Sequence, residues 1–212
     1  MDRLTFVPVP SNPLPLGTRL PWFSLTDLEG VERTAADVRN GQIAIVAFLC
    51  NHSPYVLHIE DELAESLNRY QRDGLYVIGI SPNDVISYPS DNLEEMRAQA
   101  NRGVAFEFPY CLDETQEVTK AFQAACTPEI FVYDAGGRLA YHGQFDGSRP
   151  NAANATPITG DSLAIAIDAI RSGDALSASQ VPSLGCSVKW RSGNEPDYIL
   201  AIPDQRWILD VA

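Results

Sequence analysis

The clearest indication of the fold of this chain comes from residues 42–74, QIAIVAFLCNHSPYVLHIEDELAESLNRYQRDG. Residues 42–49 are almost entirely apolar and rich in β-branched side chains, which is typical of a central strand covered on both faces. Apolar residues then recur at steps of three and four, as one helical stripe: Val56, Ile59, Leu63, Leu67 and Tyr70. Ser53 is a natural N-cap and Pro54 fits a first turn, so the helix begins there and ends at Gly74.

The remaining sequence alternates strand patterns with helix patterns. Outward from the centre, the predicted elements are a strand with a turn and short return (21–32), a buried strand (75–81), a short helix (93–103), a brief strand (108–113), a helix with Val118, Ala121 and Phe122 inward, a hairpin (129–145) and a helix (161–172). Asp113 and Gln116 have the spacing of a capping box for the second of these helices. This order predicts an α/β domain with a central mixed or parallel sheet flanked by helices.

The two ends of the chain have a different character from its middle. Residues 1–172 are predicted to form one domain, of which residues 1–16, with four prolines, are an extended N-terminal lead-in. Residues 173–212 are predicted to be an irregular C-terminal tail. Since Trp190 and Trp207 are costly to leave in water, we expect this tail to pack on the domain.

The charge of the chain excludes some partners. A formal net charge of −13 repels nucleic acid and anionic lipid, so we expect neither nucleic acid nor a membrane as a partner. No run approaches the roughly 20 apolar residues that span a bilayer, and the first residues do not resemble a secretory signal. We therefore expect a cytoplasmic protein, in which the four cysteines are mostly reduced: Cys50, Cys111, Cys126 and Cys186.

Cys50 carries the strongest chemical signal, because it lies at the junction between the central strand and the helix. The unpaired N–H groups and the positive end of the helix dipole favour an anion there. We therefore expect a pKa below the usual value of about 8.5 and a nucleophilic thiolate, to which a protonated His52 would add. The alternative is a small buried residue that merely closes the strand.

Ser53 stands where a C-x-x-C redox motif has its second cysteine. A serine cannot form a disulfide, but its hydroxyl can donate to the Cys50 thiolate, cap the helix, or do both. Release of a mixed disulfide then needs another thiol, and Cys126 and Cys186 are both possible resolving cysteines. Each has the alternative of being a buried unreactive thiol, which for Cys111 is the favoured interpretation.

Thr127 and Pro128 precede a strand, where proline is tolerated and an X-Pro bond is sometimes cis. The chain resembles peroxiredoxin-like, AhpC/TSA-related proteins of the thioredoxin superfamily. Four segments carry this resemblance: PWFSLTDLEG, FLCNHSPYV, CLDETQEVTKAFQAACTPEIFVYDAGGRLAYHGQFD and PSLGCSVKWRSGNEP. The resemblance implies a thioredoxin fold, Cys50 as the nucleophile, and Pro128 as a cis-proline facing it with Thr127 alongside. Members usually carry CNHCPYV, so Ser53 is a departure.

Three functions are compatible with these residues. The first is a monothiol redox protein that acts on a disulfide-containing protein or a small thiol or peroxide substrate, with an external thiol reductant and no cofactor. The second is a peroxiredoxin-like peroxidase with an antioxidant role, and the third is a redox-inactive thioredoxin-fold binding protein.

The residues argue against efficient peroxidase activity, and the histidine spacing argues against a metal site. Peroxiredoxins place Pro and Thr ahead of the nucleophile, where this chain has Ile43 and Ala47, and only Arg138 or Arg149 can replace their supporting arginine. Peroxidase activity is therefore expected to be slow or absent. The few histidines lack a metal-ligand spacing, so no metal is expected.

Overall fold

A five-stranded mixed sheet lies at the centre of the computed structural model, which describes residues 8–39, 41–150, 156–174, 176 and 180–200. The strands are β1 (Val9–Pro10), β2 (Ser24–Thr26), β3 (Glu32–Thr34), β4 (Ala44–Phe48), β5 (Tyr76–Ser81), β6 (Tyr110–Leu112), β7 (Cys126–Thr127), β8 (Glu129–Tyr133), β9 (Leu139–Gly143) and β10 (Leu184–Ser187). The helices are α1 (Pro54–Arg72), α2 (Leu93–Asn101), α3 (Glu117–Ala121), α4 (Asp161–Ser172) and α5 (Asp197–Leu200), with 3-10 turns at Ala35–Asp37 and Pro89–Asp91.

Strand β4 is the middle of the sheet, whose order is β6-β5-β4-β8-β9. It runs parallel to β5 and antiparallel to β8, which confirms the predicted α/β class with a central mixed sheet. Ile45 and Ala47 pack on the face that α1 and α4 cover, whereas Val46 and Phe48 pack on the opposite face with Phe122. Both faces are therefore sealed, as the continuous apolar run predicts.

Helix α1 begins where the sequence predicts, at Pro54, with Ser53 as the N-cap residue. All five residues of the predicted apolar stripe are buried, and they pack against the sheet. Because this face is fixed over the sheet, the amino end of α1 is held directly beyond the end of β4. The segment between them, which contains Cys50, therefore has little freedom to move.

The C-terminal segment is more regular than the sequence pattern predicts. Strand β10 lies between β1 and β7 and is antiparallel to both. A strand of four residues has too little periodicity to be recognised, and its partners lie far away in the sequence. Trp190 packs edge-on against Tyr198, whereas Trp207 lies outside the described residues.

The predicted capping box at α3 is wrong. Gln116 is itself the N-cap residue, in a left-handed conformation with a φ of 64°, and its own side chain makes no capping hydrogen bond. The Asp113 carboxylate instead accepts hydrogen bonds from the backbone N–H and the hydroxyl of Thr119, further along the helix. Ala121 is exposed rather than inward, because the helix ends there, after five residues.

No helix within the described ranges is long and apolar enough to cross a bilayer.

Gly185 provides a test of how tightly β10 is packed. An added Cβ at this position would clash with the carbonyl oxygen of Thr127, which is backbone and cannot swing away. We expect Gly185→Ala to lower the free energy of unfolding by about 1–3 kcal/mol, as overpacking does. Urea denaturation followed by circular dichroism measures this change.

Gly147→Ala is the matched control, because a Cβ there meets no atom within 4 Å. Equal stability of the two variants would contradict the packing of β10 against the Thr127 carbonyl.

Candidate active site

The structure places the Cys50 sulfur at the amino end of α1, two residues beyond β4. The backbone N–H groups of His52 and Ser53 are directed at this sulfur and favour its anion. The Cys50 carbonyl accepts a hydrogen bond from the buried amide of Gln99 in α2. Helix α2 therefore helps to fix the turn that carries the thiol.

The Cys50 thiol is nearly sealed from water, with only 1% of the residue exposed. Burial raises its pKa to about 12, and the nearby Asp91 carboxylate adds to the increase. The hydrogen bond to Thr127 and the two backbone amides lower the pKa, but they do not offset the burial. The expected decrease in the Cys50 pKa is therefore wrong. The sequence shows that Cys50 lies at a helix terminus, but it does not show that the folded chain buries the thiol.

Thr127 and Pro128 form the other wall of the site. The Thr127 hydroxyl lies 3.1 Å from the Cys50 sulfur, and the Thr127–Pro128 peptide bond is cis. Strand β7 ends at this bond and β8 begins just after it. Residues 125–128, the loop before β8, thus contact the amino end of α1 through the hydrogen bond between Thr127 and Cys50.

The Ser53 hydroxyl does neither of the things expected of it. It is fully buried and donates to the Thr127 carbonyl at 3.1 Å, so it neither caps α1 nor bonds to the thiol. Its side chain is surrounded by the loop before β8, where that carbonyl is the acceptor within reach. Ser53 therefore links the helix to the loop.

His52 is held by a residue that the sequence analysis missed. Its Nδ1 lies 2.8 Å from the Asp91 carboxylate, and its ring lies parallel to that of Tyr88. Asp91 is fully buried, and its second oxygen accepts a hydrogen bond from the Asn83 amide at 2.9 Å. No motif marks Asp91, because it reaches the site from a separate 3-10 turn.

The register of β7 and β10 shows that the two possible resolving cysteines, Cys126 and Cys186, face different sides. Cys186 of β10 lies directly opposite Thr127 of β7, and Ser187 lies opposite Cys126. Directly opposed residues of an antiparallel pair project from the same face, and successive residues alternate. Cys186 therefore shares the face of Thr127, which is the face turned toward Cys50, whereas Cys126 points to the other side.

Cys126 lies within a buried polar cluster that sequence reasoning also missed. Its sulfur is 3.7 Å from a carboxylate oxygen of Glu129, which also accepts hydrogen bonds from the backbone of Ala125 and Cys126. The second Glu129 oxygen is 2.7 Å from Nε2 of His142. Burial and this carboxylate raise the Cys126 pKa well above its usual value, so its thiol is held neutral while the cluster fixes the loop.

Cys111 lies in β6, where its side chain belongs to the core on the α3 side of the sheet. Burial, assisted by the Asp27 carboxylate, raises its pKa to about 12. These surroundings are those of a structural thiol.

The two arginines proposed as supports for the thiolate make other contacts. Arg138 donates to the Gly17 carbonyl, and Arg149 donates to the Gln144 side chain. Arg149 lines a surface pocket beside Pro128, together with Tyr55 and His58. Within the described ranges, no arginine side chain donates a hydrogen bond to Cys50.

Comparisons with known proteins give a consistent result. The family model described as "AhpC/TSA family" matches residues 16–142. A hypothetical protein from Sinorhizobium meliloti 1021 is 40% identical, with a TM-score of 0.82, and the match covers 87% of this chain and 99% of that one. An uncharacterized conserved protein from Geobacillus kaustophilus is also 40% identical, with a TM-score of 0.83 over 89% of this chain and 98% of that one.

A more distant structure has the same fold. The thioredoxin domain of a thiol-disulfide oxidoreductase from Bacteroides vulgatus has a TM-score of 0.53 at 15% identity, over 72% of this chain and 98% of that one. A search of curated proteins found no match.

Asp91 provides a test of the electrostatics around Cys50. Since its carboxylate raises the thiol pKa, Asp91→Asn should lower it, so that alkylation begins at a lower pH. The measurement is the rate of Cys50 alkylation by iodoacetamide as a function of pH, followed by mass spectrometry of the Cys50 peptide. Asp168→Asn, which removes an exposed carboxylate on α4, is the control and should leave the profile unchanged. An unchanged profile in Asp91→Asn would show that its charge does not act on the thiol.

Proposed function

This chain belongs to the AhpC/TSA family and has a thioredoxin-like fold, and from that premise we propose that it is a thiol-disulfide oxidoreductase with one nucleophilic cysteine, Cys50. The observation that carries the proposal is the contact of the Cys50 sulfur with Thr127, beside two helix-terminal N–H groups and a cis-proline. The proposed substrate is a disulfide in a protein or a small molecule, and the reductant is an external thiol.

In the first proposed step, the Cys50 sulfur attacks one sulfur of the substrate disulfide. The substrate S–S bond breaks, a mixed disulfide forms on Cys50, and the second substrate sulfur leaves as a thiol. The Cys50 proton is lost in this step, and the His52–Asp91 pair, within 4.8 Å of the sulfur, is placed to receive it and pass it to the leaving group or to solvent. The Thr127 hydroxyl and the two backbone N–H groups stabilise the charge on sulfur.

In the second proposed step, the Cys186 thiol attacks the Cys50 sulfur of the mixed disulfide. The bound substrate fragment leaves as a thiol, and a Cys50–Cys186 disulfide forms, which the external thiol then reduces. The shared face of Cys186 and Thr127 supports this choice over Cys126, whose thiol is directed at Glu129. Ser53 and Pro128 have positioning roles, in that Ser53 ties the loop to α1 and Pro128 follows Thr127, whose hydroxyl contacts the thiol.

The two alternative functions have less support. Ala47, a fully buried residue of β4, offers no hydroxyl to a peroxide, and both candidate arginines are engaged elsewhere, so efficient peroxidase activity is disfavoured. The burial of Cys50 favours a redox-inactive binding protein, because a buried thiol is hard for a substrate to reach. The contact of Thr127 with the sulfur and the register of Cys186 opposite Thr127 favour redox chemistry instead.

Dithiodipyridine tests the proposed sequence of steps, because it is a small uncharged disulfide that the acidic protein does not repel. The reduced wild type should release two thiopyridones through Cys50, one on attack and one on resolution. Cys186→Ser should release only one and keep a pyridylthio adduct on Cys50. Absorbance of thiopyridone and mass spectrometry of the Cys50 peptide measure both.

Cys126→Ser is the matched control and should behave as the wild type does. An adduct retained in Cys126→Ser but not in Cys186→Ser would reverse the assignment of the resolving cysteine. Thiopyridone release that is unchanged in Cys50→Ser would exclude Cys50 as the nucleophile and favour the binding-protein alternative.

A further inference from the structure

Three different metal-ligand groups converge beside the amino end of α1. The Cys50 sulfur, a ring nitrogen of His52 and a carboxylate oxygen of Asp91 all lie within 4.8 Å of one another. We propose that Cys50, His52 and Asp91 form a three-ligand site for a divalent cation of the Zn²⁺ type. The sequence gives no sign of this site, because its third ligand comes from the 3-10 turn at Pro89–Asp91.

The donor set suits this cation. Thiolate, imidazole and carboxylate are the three side-chain ligand types of protein zinc, with metal–ligand distances of about 2.0–2.3 Å. Tetrahedral geometry at these lengths places neighbouring donors roughly 3.3–3.8 Å apart. The His52 and Asp91 atoms, 2.8 Å apart, would separate by roughly 0.5 Å, and no donor pair would need to close by more than about 1.5 Å, since all three lie within 4.8 Å. The cation would replace the hydrogen bond between His52 Nδ1 and Asp91, and the imidazole would carry its proton on Nε2.

The ligands are already oriented by neighbours that are not themselves ligands. The Asn83 amide donates to one Asp91 oxygen, which leaves the other directed at His52. The Asn83 side-chain oxygen in turn accepts the backbone N–H of Lys189 at 2.8 Å, which fixes the amide. Such outer hydrogen bonds are a regular feature of metal sites, where they hold the ligands in place.

The charge balance also favours a cation. Asp91 and Cys50 are both almost completely buried, so a thiolate formed on Cys50 beside the Asp91 carboxylate would be disfavoured unless a cation accompanied it. A divalent cation offsets both charges, and its binding releases the Cys50 proton as the S–H bond is replaced by a bond from sulfur to metal. About a quarter of the His52 side chain is exposed, so solvent reaches the site from that side and can fill the fourth position.

This inference goes beyond the proposed redox activity and does not require it. A cation on Cys50 occupies the sulfur that would attack a disulfide, so the two reactions would exclude one another. Metal binding would then keep the thiol in a reversibly blocked state.

Cobalt(II) tests the site, because it replaces zinc and absorbs light. Titration of Co²⁺ into the reduced, chelator-treated full chain should give one equivalent of binding, with a thiolate-to-cobalt band in the near ultraviolet and four-coordinate bands in the visible. Zn²⁺ should displace these bands. Asp91→Asn and His52→Ala should weaken binding by about 100-fold or more, and Asn83→Ala by about 10-fold, as expected for loss of an outer hydrogen bond.

Cys50→Ser should abolish the near-ultraviolet band, whereas Cys126→Ser, which has the same total of three cysteines but keeps Cys50, should retain it. Circular dichroism of each variant shows whether it is folded, and Asp91→Asn reports on the site even if Cys50→Ser does not fold. Absence of the band in the wild type, or a band that survives Cys50→Ser or disappears in Cys126→Ser, would overturn the proposal. Because Co²⁺ binding is read without any disulfide, failure of the redox proposal would leave this result standing, and the reverse also holds.

Discussion

The contact between the Cys50 sulfur and the Thr127 hydroxyl joins the two halves of the site. One half is the amino end of α1, which β4 and the buried helical stripe hold in place. The other is the loop before β8, whose backbone N–H groups donate to the Glu129 carboxylate and whose strand β7 pairs with β10. The Ser53 hydroxyl adds a second link between the same two elements, so two hydrogen-bonding contacts hold them together around the sulfur.

This enclosure decides the state of the thiol. Backbone N–H groups at a helix terminus stabilise a thiolate, but removal of the sulfur from water disfavours it more strongly, and the pKa is about 12. At pH 7 the thiol is then almost entirely protonated. The resting thiol is therefore protonated and shielded, and reaction with any bulky disulfide requires the loop before β8 and α1 to separate at the sulfur.

The sequence predicts the features that depend on neighbouring residues. The buried strand, the stripe on α1 and the β8–β9 hairpin are local patterns, and each lies where it is predicted. Asp91, Glu129 and strand β10 come from distant segments, and their roles depend on contacts that periodicity does not encode. The same reason explains the error in the Cys50 pKa, because helix-terminal position is local whereas burial is produced by the whole fold.

The orientation of Ser53 determines what remains available to the sulfur. Since its side chain points to the Thr127 carbonyl, Ser53 makes no bond to the Cys50 sulfur and leaves it to the two proposed partners. The first is Cys186 of β10, which lies opposite Thr127 and which we propose as the partner in a disulfide. The second is the pair of His52 and Asp91, which suits a proton or a cation. The two chemistries proposed for this buried sulfur, disulfide formation with Cys186 and cation binding with His52 and Asp91, would exclude one another, because each uses the same atom.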